Sequence, residues 1–217
     1  MVRKSSKVVP ALRFRWLTFL YDPLMKWAQE ETFKNRFITQ ANLLPDQRIL
    51  DVGCGTGTLA LMLKDAQPTA TVIGLDAEPQ VLRLAQKKAQ KNKAAISFQQ
   101  GLSSNLPFNA DVFDHIFSSL LFHHLTLKMK HKTLQEAFRV LVPGGSLHIL
   151  DFDGPQGLWM RLMFYPVQVL DGFETTRDHV KGILLKVLRE EGFENIRETD
   201  RFNTIVGTIR VYSANKP

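Results

Sequence analysis

Ile49-Leu50-Asp51-Val52-Gly53-Cys54-Gly55-Thr56-Gly57-Thr58-Leu59-Ala60 reads as the end of a buried strand, a glycine-rich turn and the start of a helix. Arg48–Asp51 is the strand, closed by a carboxylate. Thr58–Asp65 is helical, with Leu59, Met62 and Leu63 on one face. The glycines allow positive φ and let a ligand lie against bare backbone. The amides at the helix start add donors for polar ligand groups. A dinucleotide fingerprint would need a third glycine where Thr58 stands. Asp51 would also repel a pyrophosphate. A carboxylate there suits a ligand that carries a cationic amine.

Outward from this turn the chain alternates short apolar runs with helical patterns. Thr71–Asp76 is a strand, Glu78–Asn92 a helix with Val81, Leu82 and Ala85 inward, and Ile96–Gln99 a short strand. Val112–Ser118 is the next strand. Lys132–Leu141 is a helix stopped by Pro143, Gly144 and Gly145, and Ser146–Asp151 is a second strand ending in a carboxylate. His179–Glu191 is an amphipathic helix. Two strands near Glu194–Asp200 and Thr204–Ser213 close the chain with no helix between them. The pattern predicts an α/β fold: a doubly wound, mostly parallel seven-stranded sheet, Rossmann-like, with an antiparallel last strand at or near an edge. Ligands then bind outside the carboxyl ends of the strands, in loops starting at Val52, Ala77, Gln100, Ser119 and Phe152.

Two segments stand apart. Residues 1–40 carry eight Lys/Arg against three acids, whereas 41–217 are nearly balanced. The division expected is a basic helical N-terminal arm (1–40) and a main domain (41–217). Leu12, Phe14, Trp16, Leu17, Phe19 and Leu20 interleave with Arg13 and Arg15, a pattern that suits peripheral contact with an anionic membrane or packing on the domain. The second segment, about 152–178, is long for a connection and rich in large apolar groups, among them Trp159, Met160, Phe164 and Tyr165. It is expected to be a helical lid. The 217 residues hold 44% hydrophobic and 23% charged residues and one cysteine. Those values exclude a disordered chain and a disulfide scaffold. A lone thiol and no spanning apolar run place the protein in the cytoplasm, with membrane association left open.

Several stretches in order resemble the class I S-adenosylmethionine-dependent methyltransferases. Ile49–Ala60 resembles their motif I. Val72–Pro79 resembles motif II, Gln100–Phe108 the adenine-binding segment, Phe113–Leu125 the fourth strand and its loop, and Glu136–Phe152 the helix-to-strand segment ending in Pro-Gly-Gly. Leu20–Lys26 and the C-terminal strand look like those of the ubiquinone/menaquinone-type enzymes acting on small molecules. The resemblance implies S-adenosylmethionine as cofactor. Asp51 would face its ammonium, and Gly53, Cys54, Gly55 and Gly57 would form the turn beneath the methionine moiety. Asp76 would accept the ribose hydroxyls, with Ala77, Leu102 and Ser103 beside the adenine and Ser118 near the methyl donor. Leu102 stands where the family usually has an acid, so adenine contact would fall to the backbone there.

Transfer of a sulfonium methyl mainly requires orientation. A base is needed where the nucleophile is a hydroxyl, phenol or acidic carbon. Candidates for it are His123, His124, Asp151, Asp153 and Tyr21. Capping or packing is the competing role for the two histidines. No metal-ligand spacing is present, so no metal is expected. The acceptor expected is a small, lipophilic molecule. The alternatives are an RNA or protein methyltransferase using the basic arm, and a cofactor-binding protein without activity. Nucleic acid is the less favoured partner, because no recognition platform accompanies the arm. The oligomeric state stays open.

Overall fold

The computed structural model describes residues 30–152, 183–204 and 207–217. They form one seven-stranded sheet: β1 Arg48–Val52, β2 Thr71–Asp76, β3 Ile96–Gln100, β4 Phe113–Ser119, β5 Leu141–Phe152, β6 Glu194–Thr204 and β7 Gly207–Asn215. The strand order is β3-β2-β1-β4-β5-β7-β6. β1 to β5 pair in parallel, and β7 runs antiparallel to both β5 and β6. The chain moves outward from β1 to β3 and then returns to β4, so the order reverses beside β1. A crevice opens at such a switch point.

Both faces of the sheet are covered, which is why its inner strands read as continuous apolar runs. Successive residues of β1 point to opposite sides. Leu50 and Val52 join Leu75, Ile116, Leu147 and Ile149 under helices α4 (Leu127–Val140) and α5 (Ile183–Glu190). Ile49 joins Val72, Phe117 and Leu150 under α1 (Glu30–Thr39) and α2 (Thr58–Ala66). Helix α3 (Pro79–Lys91) packs chiefly on β3. The second face also holds two buried histidines: His115 Nδ1 and His148 Nε2 lie 3.1 Å apart, and the His148 ring stacks on Phe117. Burial pushes both imidazoles toward the neutral form, His148 to about 3.

Two expectations shift. The globular unit reaches past the boundary drawn at residue 41, because Phe33, Phe37 and Ile38 of α1 are buried in the sheet's second face. Helix α4 begins earlier than Lys132, since the Thr126 hydroxyl caps it by accepting from the Met129 amide at 3.4 Å. The last strand is antiparallel and near the edge as expected: it lies one place in, pairing on both sides, and β6 forms the edge. Most of the expected lid (153–182) and residues 1–29 lie outside the described residues. Among the described residues no helix is long and apolar enough to cross a membrane.

Candidate active site

The turn after β1 is built by backbone. The Gly53 and Cys54 amides both donate to the Leu75 carbonyl, at 2.8 and 3.0 Å, tying the turn to the end of β2. Gly53, Gly55 and Gly57 all have positive φ, and Gly57 caps α2 from the left-handed region at φ 76°. Their surroundings differ. A Cβ on Gly57 would sit 2.9 Å from that of Ala85, and one on Gly53 about 3.1 Å from the Leu121 side chain. A Cβ on Gly55 would meet nothing within 4 Å. Gly55 therefore borders open space that a ligand can fill. Lys88 braces the turn from α3, donating to the Thr56 and Thr58 hydroxyls at 3.1 and 2.9 Å.

Asp51, in β1, is 1% exposed, and neither carboxylate oxygen has a hydrogen-bond partner among the described residues. Burial pushes its pKa up to about 7; the Lys34 charge on α1 and the nearby Ala60 amide lower it, and the Asp76 charge raises it. A buried acceptor left open costs free energy unless something donates to it. A ligand ammonium would be such a donor. Asp76, at the end of β2, accepts from the Gly55 amide (Oδ2, 2.9 Å) and the Glu78 amide (Oδ1, 3.0 Å). These bonds fix its orientation, and a carboxylate has acceptor capacity left for two ribose hydroxyls. The two acids and the open face of Gly55 thus fit S-adenosylmethionine.

The segment after β3 runs beside Asp76. The Gly101 amide donates to the Asp76 carbonyl at 3.0 Å, and the Gln100 side chain donates to the Ala77 carbonyl at 3.2 Å. Leu102 is exposed and pairs with Asn105 in an isolated bridge. The Ser103 hydroxyl lies 2.9 Å from that of Thr133 on α4. The start of this segment is thus tied to Asp76 and Ala77, while Ser103 is held by α4. Cys54 is placed differently. Its amide is spent on Leu75, and its sulfur lies 2.9 Å from where a Gly74 Cβ would be. Burial pushes its thiol pKa up, so it packs as a small apolar group.

Across the crevice, β4 ends in Ser118 and Ser119, whose hydroxyls are buried without partners among the described residues. Leu120 follows at φ 57°, a left-handed conformation costing a branched residue roughly 1 kcal/mol. The Leu120 amide donates to the Leu150 carbonyl at 2.8 Å. The turn Phe122–His124 then brings His123 Nδ1 to 2.7 Å from Asp151 Oδ1. Asp151 also accepts from the Phe122 amide (2.6 Å) and the Phe152 amide (2.7 Å). The His123 and His124 rings lie 3.9 Å apart. The fold thus sets Asp51 and Asp76 beside the Gly55 turn and ties His123 to Asp151. Tyr21 lies outside the described residues.

Sequence reasoning missed several contributors. Lys34 falls within the basic arm, Thr133 within a helix, and Glu136 and Arg139 within the family-like segment Glu136–Phe152, none with a role of its own. Their roles depend on partners some thirty residues away, which local pattern does not reveal. The i,i+3 spacing of Glu136 and Arg139 was the one available signal. Among the described residues no group of His, Cys, Asp and Glu is placed to hold a metal ion.

Comparison with known proteins gives the family and the fold. A family model described as "Methyltransferase domain" matches residues 49–145. A demethylmenaquinone methyltransferase of Thermus thermophilus is 34% identical over 152 residues, 68% of each chain. An uncharacterised methyltransferase of Synechocystis is 31% identical over 172 residues, 78% of this chain and 77% of its own. Among solved structures, magnesium protoporphyrin IX methyltransferase of Synechocystis, with bound S-adenosylhomocysteine, shares the fold with a TM-score of 0.70. It is 20% identical, and the match covers 87% of this chain and 84% of that one.

Proposed function

Because the chain belongs to the class I S-adenosylmethionine-dependent methyltransferases of the ubiquinone/menaquinone type, we propose that it methylates a small lipophilic acceptor of the reduced-quinone class. The observation that carries the acceptor class is the 34% identity with a demethylmenaquinone methyltransferase across 68% of both chains.

S-adenosylmethionine supplies a methyl group on a cationic sulfur, already activated for in-line displacement. The chain's own residues bind and orient. Asp51 takes the ammonium into a water-poor site where the attraction is strong. Asp76, held by the Gly55 and Glu78 amides, accepts the ribose hydroxyls. Ser118 and Ser119 offer hydroxyls at the end of β4. His123 is the base: with Nδ1 turned to Asp151, Nε2 is the ring atom that takes the acceptor's hydroxyl proton. The Asp151 carboxylate holds the tautomer and stabilises the imidazolium that forms. Removing that proton raises electron density on the acceptor ring, so that a ring carbon attacks the methyl group; the same carbon then gives up its own hydrogen as a proton, which restores the aromatic quinol.

The test is a methyl-transfer assay with reduced demethylated quinones, read by mass spectrometry beside calorimetric cofactor binding. Wild type is expected to form the methylated quinol. His123→Ala is expected to lose about 100-fold in turnover with cofactor affinity kept. Cofactor binding with no methylated quinol would overturn the acceptor class. The basic arm belongs to the same proposal, as a contact with the anionic interface where such an acceptor dissolves. Deleting residues 1–16 should then slow turnover of vesicle-borne acceptor and spare a short-chain soluble one; equal effects on both would exclude an interfacial role.

A further inference from the structure

Residues 101–108 form the wall beside Asp76, and apart from one isolated bridge they have no regular secondary structure. Backbone groups in such a segment need partners from elsewhere. Here one helix supplies three of them, at Leu106 and Phe108. Thr133, Glu136 and Arg139 recur every three residues along α4, on the side that meets this wall. Thr133 holds the Ser103 hydroxyl at 2.9 Å. Glu136 Oε2 accepts from the Leu106 amide at 2.7 Å. The Arg139 guanidinium donates to the Phe108 carbonyl at 2.8 Å and the Leu106 carbonyl at 3.1 Å. Its Nε and Nη2 each also donate to Glu136 at 2.8 Å. Hydrogen bonding to Arg139 holds the Glu136 carboxyl below its usual range, so the acceptor stays ionised.

Both Leu106 backbone groups are therefore clamped by charged side chains, and Leu106 itself is buried. Charge-assisted bonds of this kind are the stronger ones, and only a planar fork reaches two carbonyls and a carboxylate together. At its other end the wall is tied to the Asp76 carbonyl through Gly101. Resting on the S-adenosylmethionine reading, we propose that Arg139 and Glu136 are positioning residues that set the adenine wall from behind, without touching the cofactor. Pre-ordering the wall removes an entropy cost that binding would otherwise carry.

The experiment is calorimetry of the full chain with S-adenosylhomocysteine and, by competition, with adenosine. Amide hydrogen exchange across 101–108 is followed in parallel. Arg139→Ala is expected to weaken both ligands by about tenfold and to speed exchange at Leu106. Arg139→Lys, which keeps the charge and loses the fork, should recover part of the affinity. It also covers the case in which Arg139→Ala does not fold. Asp51→Asn should weaken S-adenosylhomocysteine and spare adenosine, which has no ammonium. Folded Arg139 variants with unchanged affinity for both ligands overturn the strut alone. So does a loss confined to S-adenosylhomocysteine, or affinity lost with Leu106 exchange unchanged. Wild type that binds neither ligand overturns the cofactor reading and the strut with it.

Discussion

Asp51 and Asp151 look alike from a distance. Each stands at or next to the carboxyl end of a parallel strand, on β1 and β5, and each is 1% exposed. Their hydrogen bonding is opposite. Asp151 accepts from the Phe122 and Phe152 amides and is bound to His123 Nδ1, all within 2.7 Å. Asp51 has no partner for either oxygen among the described residues. Burial by itself does not mark a ligand-binding carboxylate; unused acceptor capacity does. One acid is spent on the protein and shapes the loop that presents His123. The other keeps its capacity for a cation from outside, at a cost to the fold.

The largest effect expected is on binding. Asp51→Asn removes the charge that answers the ammonium, and the cofactor's Kd should rise about 100-fold, in line with charge-assisted bonds of roughly 1.5–3 kcal/mol. The same variant should unfold no more easily than wild type in denaturant, because it no longer buries an unmatched carboxylate. Asp151→Ala should do the reverse to the fold. It orphans two amides and an imidazole, and stability should drop by about 3 kcal/mol or more. Equal losses of stability in the two variants would break the contrast.

A third effect is on pH. The folded pKa of Asp51, about 7, stands above its ordinary 3.8. Between these values the folded protein holds a proton that the unfolded chain has released. The ligand-free fold therefore loses this stability, on the order of 4 kcal/mol in full, as pH rises from about 4 to 7. His115 and His148 act the other way. Their folded pKa values lie below the ordinary 6.5. The unfolded chain takes up protons first, so stability falls as pH drops from about 6.5 toward 3. In wild type the two trends oppose each other between pH 4 and 6.5. In Asp51→Asn only the histidine trend remains, and stability should rise more steeply with pH there; an unchanged slope would refute the raised pKa. Cofactor affinity should fall toward tenfold per pH unit below about 7 in wild type, and this dependence should be lost in Asp51→Asn.

Much of the fold was legible because it rests on local signals. The apolar runs around Ile49, Val72 and Ile116 marked buried strands, and the glycines after Asp51 marked a turn into a helix. Motif order then implied a methyltransferase and pointed to Asp51 and Asp76. The helix start at Leu127 was less visible, because its cap depends on how Thr126 meets the Met129 amide. The extent of the globular unit was also hidden. The apolar residues Phe33, Phe37 and Ile38 sat inside a basic stretch and were read with the arm, although they close the second face of the sheet.

By itself the sequence determined the strand–helix alternation, the glycine turn and the two carboxylates beside it, since each depends on neighbours a few residues apart. Only the tertiary structure decided which carboxylate was spent and which was kept. It also tied His123 to Asp151 across 28 residues and hung the 101–108 wall on Arg139 more than thirty residues away. The physical reason is that a hydrogen bond is satisfied in space. A carboxylate's partners come from whatever strands and helices the fold lays beside it, and no pattern along the chain records them.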